Sequence, residues 1–239
     1  MTDDLTICTW LWRQPGCRTR YTAEHVNTWA RMVGRHLERP HRLVCFTNMP
    51  EGIQAPVETR PLPTDLVSVH NPHWSPRSGK PQCYRRLAMF RRDAAEWIGE
   101  RFVSMDLDCV VLGALDPIFD RDEDLVLFRG TGPRRPYNGS LILMTAGARP
   151  QVYEQFSAAE AARAGRRHLG SDQGWLAYKL GPHEARFTDD DGVRHMTPAI
   201  RRRLQCNNCR PLGARLLFFP GRAKPWDMIE VPAIREAYR

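Results

Sequence analysis

The sequence predicts an α/β domain built on a mixed, mostly parallel sheet flanked by helices. Three observations carry that reading. Short apolar runs with strand character alternate with segments of 3.6-residue periodicity, two carboxylates interrupt one apolar strand, and no linker or internal repeat divides the 239 residues. A chain of this length buries roughly 70 to 75% of its unfolded surface, enough for one core without disulfides or a structural metal.

Residues 5–12 form the first β run. After a loop, Thr22 opens a helix in which Val26, Trp29, Val33 and Leu37 recur at helical spacing, and Pro40 stops it. Residues 42–47 are a second strand, 48–52 a turn and 57–60 a third strand. Proline, serine, Asn71 and Gly79 dominate 61–81, and a loop that long in a compact domain is a candidate mobile lid. Residues 82–100 suit one helix with Leu87, Phe90, Ala94 and Ile98 on a stripe, delivering the chain to a strand over 102–112. Two more strands, 125–129 and 140–144, flank a turn-rich stretch at 130–139. Helices are predicted from 150 to about 166, with Val152, Tyr153 and Phe156 inward, and from 171 to 180 with Ser171 as N-cap. The last part, 182–239, is irregular apart from a strand at 214–219.

The strand over 102–112 holds the chemistry. Burying one unpaired carboxylate is costly and two side by side repel, so Asp106 and Asp108 call for a cation. As hard oxygen ligands they suit Mg²⁺ or Mn²⁺, with coordination positions left for substrate phosphates. The competing reading is that one of them caps a turn.

Net charge is +8, and only Lys80, Lys179 and Lys224 are lysines, so nearly all the positive charge is arginine, whose planar fork matches phosphate. Clusters at Arg85-Arg86, Arg91-Arg92, Arg134-Arg135, Arg166-Arg167 and Arg201-Arg202-Arg203 predict a basic surface, unless they are solvated faces of an arginine-rich chain. Aromatic residues are not interleaved with them as on a single-strand stacking platform. Seven cysteines, an odd number with several in apolar runs, predict reduced thiols. Cys206 and Cys209 are half of a zinc signature with no second pair, so loop thiols are the better reading. The acidic start runs straight into a strand, and no apolar run reaches the length of a membrane span. The expectation is a cytoplasmic protein.

Four segments stand in order: Tyr84-Arg85-Arg86-Leu87, Met105-Asp106-Leu107-Asp108-Cys109-Val110-Val111, Tyr137-Asn138-Gly139-Ser140 and Ser171-Asp172-Gln173-Gly174. A fifth, Gly221-Arg222-Ala223-Lys224-Pro225-Trp226, closes the series. Together they resemble the GT-A glycosyltransferases, and most of all family 8, the glycogenin and bacterial galactosyltransferase type, over roughly residues 7–226. The resemblance implies one GT-A domain over 1–239, with 182–239 completing the donor site. It implies that Asp106 and Asp108 hold Mn²⁺ or Mg²⁺ on the diphosphate of a nucleotide sugar, a UDP-sugar foremost, and that Arg86, Gly221 and Lys224 meet that diphosphate. Asn138, Asp172 and Gln173 would surround the donor sugar, the last two near the anomeric carbon. Thr9 and Tyr21 would contact base and ribose, and transfer would retain anomeric configuration. One departure stands out. Members of that family carry a histidine before the final glycine as a further metal ligand, whereas this chain has Phe218-Phe219-Pro220-Gly221. His195 is the candidate third ligand, and the Asp189–Asp191 run is either a second cation candidate or a turn.

Two other functions compete. A sugar-phosphate nucleotidyltransferase would share the sheet and the carboxylates but needs a Gly-rich phosphate loop, and only Gly16 follows the first strand there. A noncatalytic nucleic-acid-binding protein would explain the arginines and leave Asp106 and Asp108 without purpose, and it lacks helix-turn-helix, paired-zinc or RNP signatures. For a transferase, the arginines and the 61–81 loop suggest a polyanionic acceptor. Duplex DNA with a hydroxymethylated base, as in phage-type DNA modification, is one candidate. The alternative is a lipopolysaccharide, capsule or other cell-envelope glycan, with basic residues making peripheral contact with anionic lipids.

Overall fold

The computed structural model describes residues 4–205 and 213–239, so the half zinc signature at Cys206 and Cys209 lies outside the described residues. Strands β1 (Leu5–Leu11), β2 (His41–Thr47) and β3 (Val57–Pro61) run parallel, with helix α1 (Ala23–His36) linking the first two. Every β1 residue is buried because both sheet faces are covered. Leu5, Ile7 and Leu11 join a core with Val26, Trp29 and Val33 of α1, while Cys8 and Trp10 face a second core with Phe90 and Trp175. A fully buried side chain of this size contributes about 1.5–3 kcal/mol, so both cores hold β1 in register.

Residues 82–100 depart from the single predicted helix. They form a 3₁₀ segment (Tyr84–Phe90) and a short helix α2 (Ala94–Trp97), separated by Arg91 in an extended conformation. Leu87, Phe90, Ala94 and Ile98 are buried all the same, so the apolar stripe reported burial and not helix type. The predicted strand at 102–112 is two strands. β4 (Arg101–Met105) belongs to a seven-stranded sheet of order β3-β2-β1-β4 followed by strands from residues 135–145, 125–132 and 185–187, and β5 (Cys109–Val111) to a three-stranded sheet completed by strands from residues 216–218 and 193–195. Asp106 and Asp108 sit where the chain steps from one sheet to the other.

After a short helix α3 (Asp116–Phe119) come β6 (Leu125–Gly132) and β7 (Arg135–Thr145), an antiparallel pair that absorbs the stretch predicted as turns. Register shifts accommodate its irregular sequence. The helix predicted over 150–166 is broken into α4 (Gln151–Glu154) and α5 (Ala158–Arg167), with Ser157 Oγ accepting from Glu160 N at 3.2 Å to cap the second. Helix α6 (Asp172–Leu180) follows the sequence reading.

The last part is more regular than its sequence. It holds β8 (Ala185–Phe187), β9 (Val193–His195), α7 (Pro198–Gln205), β10 (Leu216–Phe218), a 3₁₀ segment (Pro225–Met228) and α8 (Pro232–Ala237). β10 pairs antiparallel with β5 and parallel with β9, which returns the end of the chain to the two carboxylates. Among the described residues no helix is long and apolar enough to cross a membrane.

Candidate active site

The step between the sheets, where the chain leaves strand geometry, turns Asp106 and Asp108 to one cavity, and Leu107 between them, 3% exposed, packs into the core beneath its wall. Backbone bonds fix the step: Asp106 N donates to Ser140 O on β7 at 2.9 Å, and Phe219 N donates to Asp108 O at 2.9 Å. Both carboxylates line one cavity of about 800 Å³ beyond the carboxyl ends of β1 and β4.

The cation that two such carboxylates require comes first from the protein. Arg86, 5% exposed on the 3₁₀ segment, bridges Asp106 and Asp172 with its two terminal nitrogens. Its tight turn aims the guanidinium inward, between β4 and the start of α6. Lys224 Nζ, also 5% exposed, pairs with Asp108 Oδ2 and donates to Phe219 O at 3.1 Å. Tyr21 OH donates to the same Asp108 Oδ2 at 3.2 Å. Burial pushes the Asp108 carboxyl above its usual range, Lys224 pulls it back and Asp106 adds to the push. Burial and then Asp108 push the Tyr21 hydroxyl far up, so it stays a donor. Burial alone would lower Arg86, but Asp106 and Asp172 hold it above its ordinary value as a permanent cation.

The cavity gathers Tyr21, Arg86, Asp106, Asp108, Asn138, Asp172, Gln173, Gly221 and Lys224 from segments far apart in sequence. Asn138 Oδ1 accepts from Ser140 N at 2.9 Å, which leaves its amide nitrogen for a ligand. Asp172 is engaged at both oxygens, by Arg86 and by Ser171 Oγ at 3.4 Å, and stands in the first turn of α6 where the helix dipole favours it. Ser171 occupies the N-cap position without capping; its hydroxyl accepts from Cys83 N at 3.1 Å instead. Gly221 has φ of +93° with nothing within 4 Å of a built Cβ, a conformation that suits glycine and keeps backbone open to the cavity.

Two expected residues lie elsewhere. Thr9 is fully buried in β1 and does not line the cavity; its neighbour Trp10 reaches the wall instead. His195 is on β9, stacked on Phe128 at 4.2 Å, with Nε2 2.9 Å from Arg129 O, and it too is outside the cavity. Pairing with β10 sets it opposite Phe218, where its ring stacks on Phe128 and does not line the cavity, and Asp191 is occupied by Arg121 and by Thr188 N. Among the described residues no three His, Cys, Asp or Glu side chains are arranged to hold an ion. Sequence reasoning grouped Arg135 with Arg134 as a basic cluster but missed the cavity cations Arg13, Arg18, Arg20 and Lys80. The available signal was the spacing of arginines in the loop that leaves the end of β1.

No family model matches the chain, and no curated sequence does. The architecture, a mostly parallel mixed sheet flanked by helices, matches the fold of GT-A type glycosyltransferases. The galactosyltransferase LgtC, solved with donor and acceptor sugar analogues, is similar with a TM-score of 0.58 at 12% identity, over 98% of this chain and 97% of that one. The glycosyltransferase GlyE of Streptococcus pneumoniae TIGR4 is similar with a TM-score of 0.59 at 11% identity, over 93% of this chain and 57% of that one. The bifunctional glycosyltransferase WbbM gives 0.54 at 13%, over 100% of this chain and 52% of its own length. At these identities the likeness is one of fold.

Proposed function

We propose that the chain is a glycosyltransferase that moves a hexose from a nucleotide sugar, a UDP-sugar foremost, to an acceptor hydroxyl with retention. A fold hosts many chemistries, so the site has to carry the reading. The carrying observation is that Arg86 and Lys224, far apart in sequence, are both held on the Asp106–Asp108 pair at the wall of one cavity. When a diphosphate enters, these cations exchange carboxylate for phosphate oxygens. Charge builds on the leaving diphosphate as the glycosidic bond lengthens, and fixed donors there count for most at the transition state.

Opposite the phosphates, the carbon of the sugar gains oxocarbenium character. Gln173, whose side chain makes no hydrogen bond among the described residues, supplies an amide oxygen to that face. Asn138 addresses sugar hydroxyls, and Asp172 acts as a positioning residue for Arg86. The residues fit an ion of the Mg²⁺ or Mn²⁺ type. Asp106 Oδ2 and Asp108 Oδ1 accept no hydrogen bond among the described residues, and such ions complete their shell with phosphate and water. Asp106 and Asp108 would hold it, and it would neutralise charge on the departing diphosphate.

The test is release of UDP from a panel of UDP-sugars with Mn²⁺ or Mg²⁺. Slow release by the native chain, lowered about 100-fold or more in Asp106→Asn with Asp108→Asn, is expected. Pyrophosphate release from a nucleoside triphosphate and a sugar phosphate would overturn the reading in favour of a nucleotidyltransferase. The five described cysteines are free, which supports a reducing, cytoplasmic setting.

The acceptor in this proposal is acidic, either duplex DNA with a hydroxymethylated base or an envelope glycan. Exposed Arg201, Arg202 and Arg203, and Arg134, bonded among the described residues only to main-chain carbonyls of 166 and 167, support a polyanion. The clusters at 85–86 and 91–92 do not, because Arg86, Arg91 and Arg92 are ion-paired within the chain and Arg85 donates to Pro63 O.

A further inference from the structure

We propose that the acceptor is a compact acidic saccharide whose phosphate or carboxylate is gripped by a second set of cations in the cavity. The inference rests on the transferase reading and names the acceptor class of the same site. Arg13, Arg18 and Arg20 come from the loop after β1, Lys80 from the long loop before the 3₁₀ segment, and Arg135 from the start of β7. All five line the cavity, and among the described residues none forms an ion pair. The Nε of Arg135 is buried without a hydrogen-bond partner.

Charge balance shows why the donor does not need most of these five. The lining carboxylates Asp106, Asp108 and Asp172 carry three negative charges against the two positive charges of Arg86 and Lys224. The diphosphate of a nucleotide sugar adds about two negative charges and a divalent ion two positive, so about one of the five closes the balance and about four remain in excess. The remaining positive field, concentrated in a cleft with low-dielectric walls, draws in a further anion. Guanidinium groups from separate loops suit the several oxygens of a phosphate or carboxylate.

Size and aromatic content favour a saccharide over a duplex. A cavity of about 800 Å³ is in the small-ligand range, and the donor takes part of it. Trp12 lines the wall beside Arg13, and Trp74, 49% exposed, has a ring carbon 3.9 Å from a Cβ built on Gly16 at the rim. Indole faces suit the C–H face of a sugar ring, one end of which is apolar in character.

Calorimetry tests this without knowledge of the natural acceptor. The full chain is first titrated with UDP, and absence of UDP binding would mark failure of the transferase reading itself, with which this inference falls. The UDP-loaded protein is then titrated with methyl glucoside, its 6-phosphate and the corresponding glucuronide. The two anions are expected to bind at least about tenfold tighter than the neutral ring, a preference lost in Arg18→Glu with Arg20→Glu and regained in Arg18→Lys with Arg20→Lys. The lysine pair guards against a charge reversal that fails to fold. Equal affinity for charged and neutral rings, or a preference that survives charge reversal, would overturn the proposal. So would tighter binding of a short hydroxymethylated duplex than of any saccharide, which would assign the cations to nucleic acid.

Discussion

Arg86 reaches Asp172 only because residue 139 has no side chain. A Cβ on Gly139 would lie 2.7 Å from Asp172 Oδ2 and 2.9 Å from Arg86 Nη2, closer than packed atoms tolerate. Gly139→Ala is therefore expected to destabilise the fold by about 1–3 kcal/mol and to lower UDP release roughly tenfold, through displacement of the guanidinium. Denaturant titration and initial rates check both numbers, and a variant with native stability and rate would show that β7 gives way freely. Arg86→Lys isolates the other half of the contact. A single ammonium cannot bridge Asp106 and Asp172 as the planar fork does, so a buried carboxylate loses its partner, and release is expected to fall about 100-fold.

At the scale of elements, the two halves of the candidate site differ in origin. Asp108 is presented by the step from β4 to β5, whereas its counter-cation arrives on the segment between β10 and the last 3₁₀ turn. In the proposed function Lys224 and a divalent ion would compete for the same carboxylate, so the nucleotide-free chain is expected to take up Mn²⁺ weakly, with UDP strengthening uptake. Lys224→Met should bind Mn²⁺ more tightly without nucleotide and UDP more weakly, as read by calorimetry. Equal Mn²⁺ affinity in both proteins would remove Lys224 from the competition.

The same elements show what the sequence makes legible. α1 declares itself by its 3.6-residue period, β1 and β2 by short apolar runs and α6 by Ser171 at its start, and the Asp106–Asp108 pair because carboxylates are conspicuous between Met105 and Cys109. The break at Arg91 is silent, since Leu87, Phe90, Ala94 and Ile98 are buried whichever helical form carries them. β8 and β9, three residues each, are too short to show a period of two. Thr9 and Trp10 differ by one step along β1, and only three-dimensional context says which reaches the cavity. Arg13, Arg18, Arg20, Lys80 and Arg135 are unremarkable in an arginine-rich chain until three segments meet around one space.

For the whole molecule, two cores clamp the central sheet, and the titratable groups within reach of them set its response to acid. Burial holds His25, His36, His168 and His195 below their ordinary value. Between about pH 6.5 and the lowered folded values the unfolded chain binds more protons, so stability falls as pH falls through that window. Asp108, pushed up by burial, opposes the trend at lower pH. The urea midpoint is expected to be lower at pH 5 than at pH 7.5, with part of the slope removed in His195→Asn. A flat profile would mean that these rings gain protons as readily folded as unfolded.

Asp108 and Lys224 stand 116 positions apart and meet through the pairing of β5 with β10. During synthesis the ribosome releases the acidic pair long before it has translated the lysine that neutralises one of its members. A nascent polypeptide therefore emerges with Arg86 already made to meet Asp106, while Asp108 has no lysine to pair with. The Asp108–Lys224 pair closes only when the later stretch has been made and has docked, so an unfinished chain holds the cavity wall incomplete.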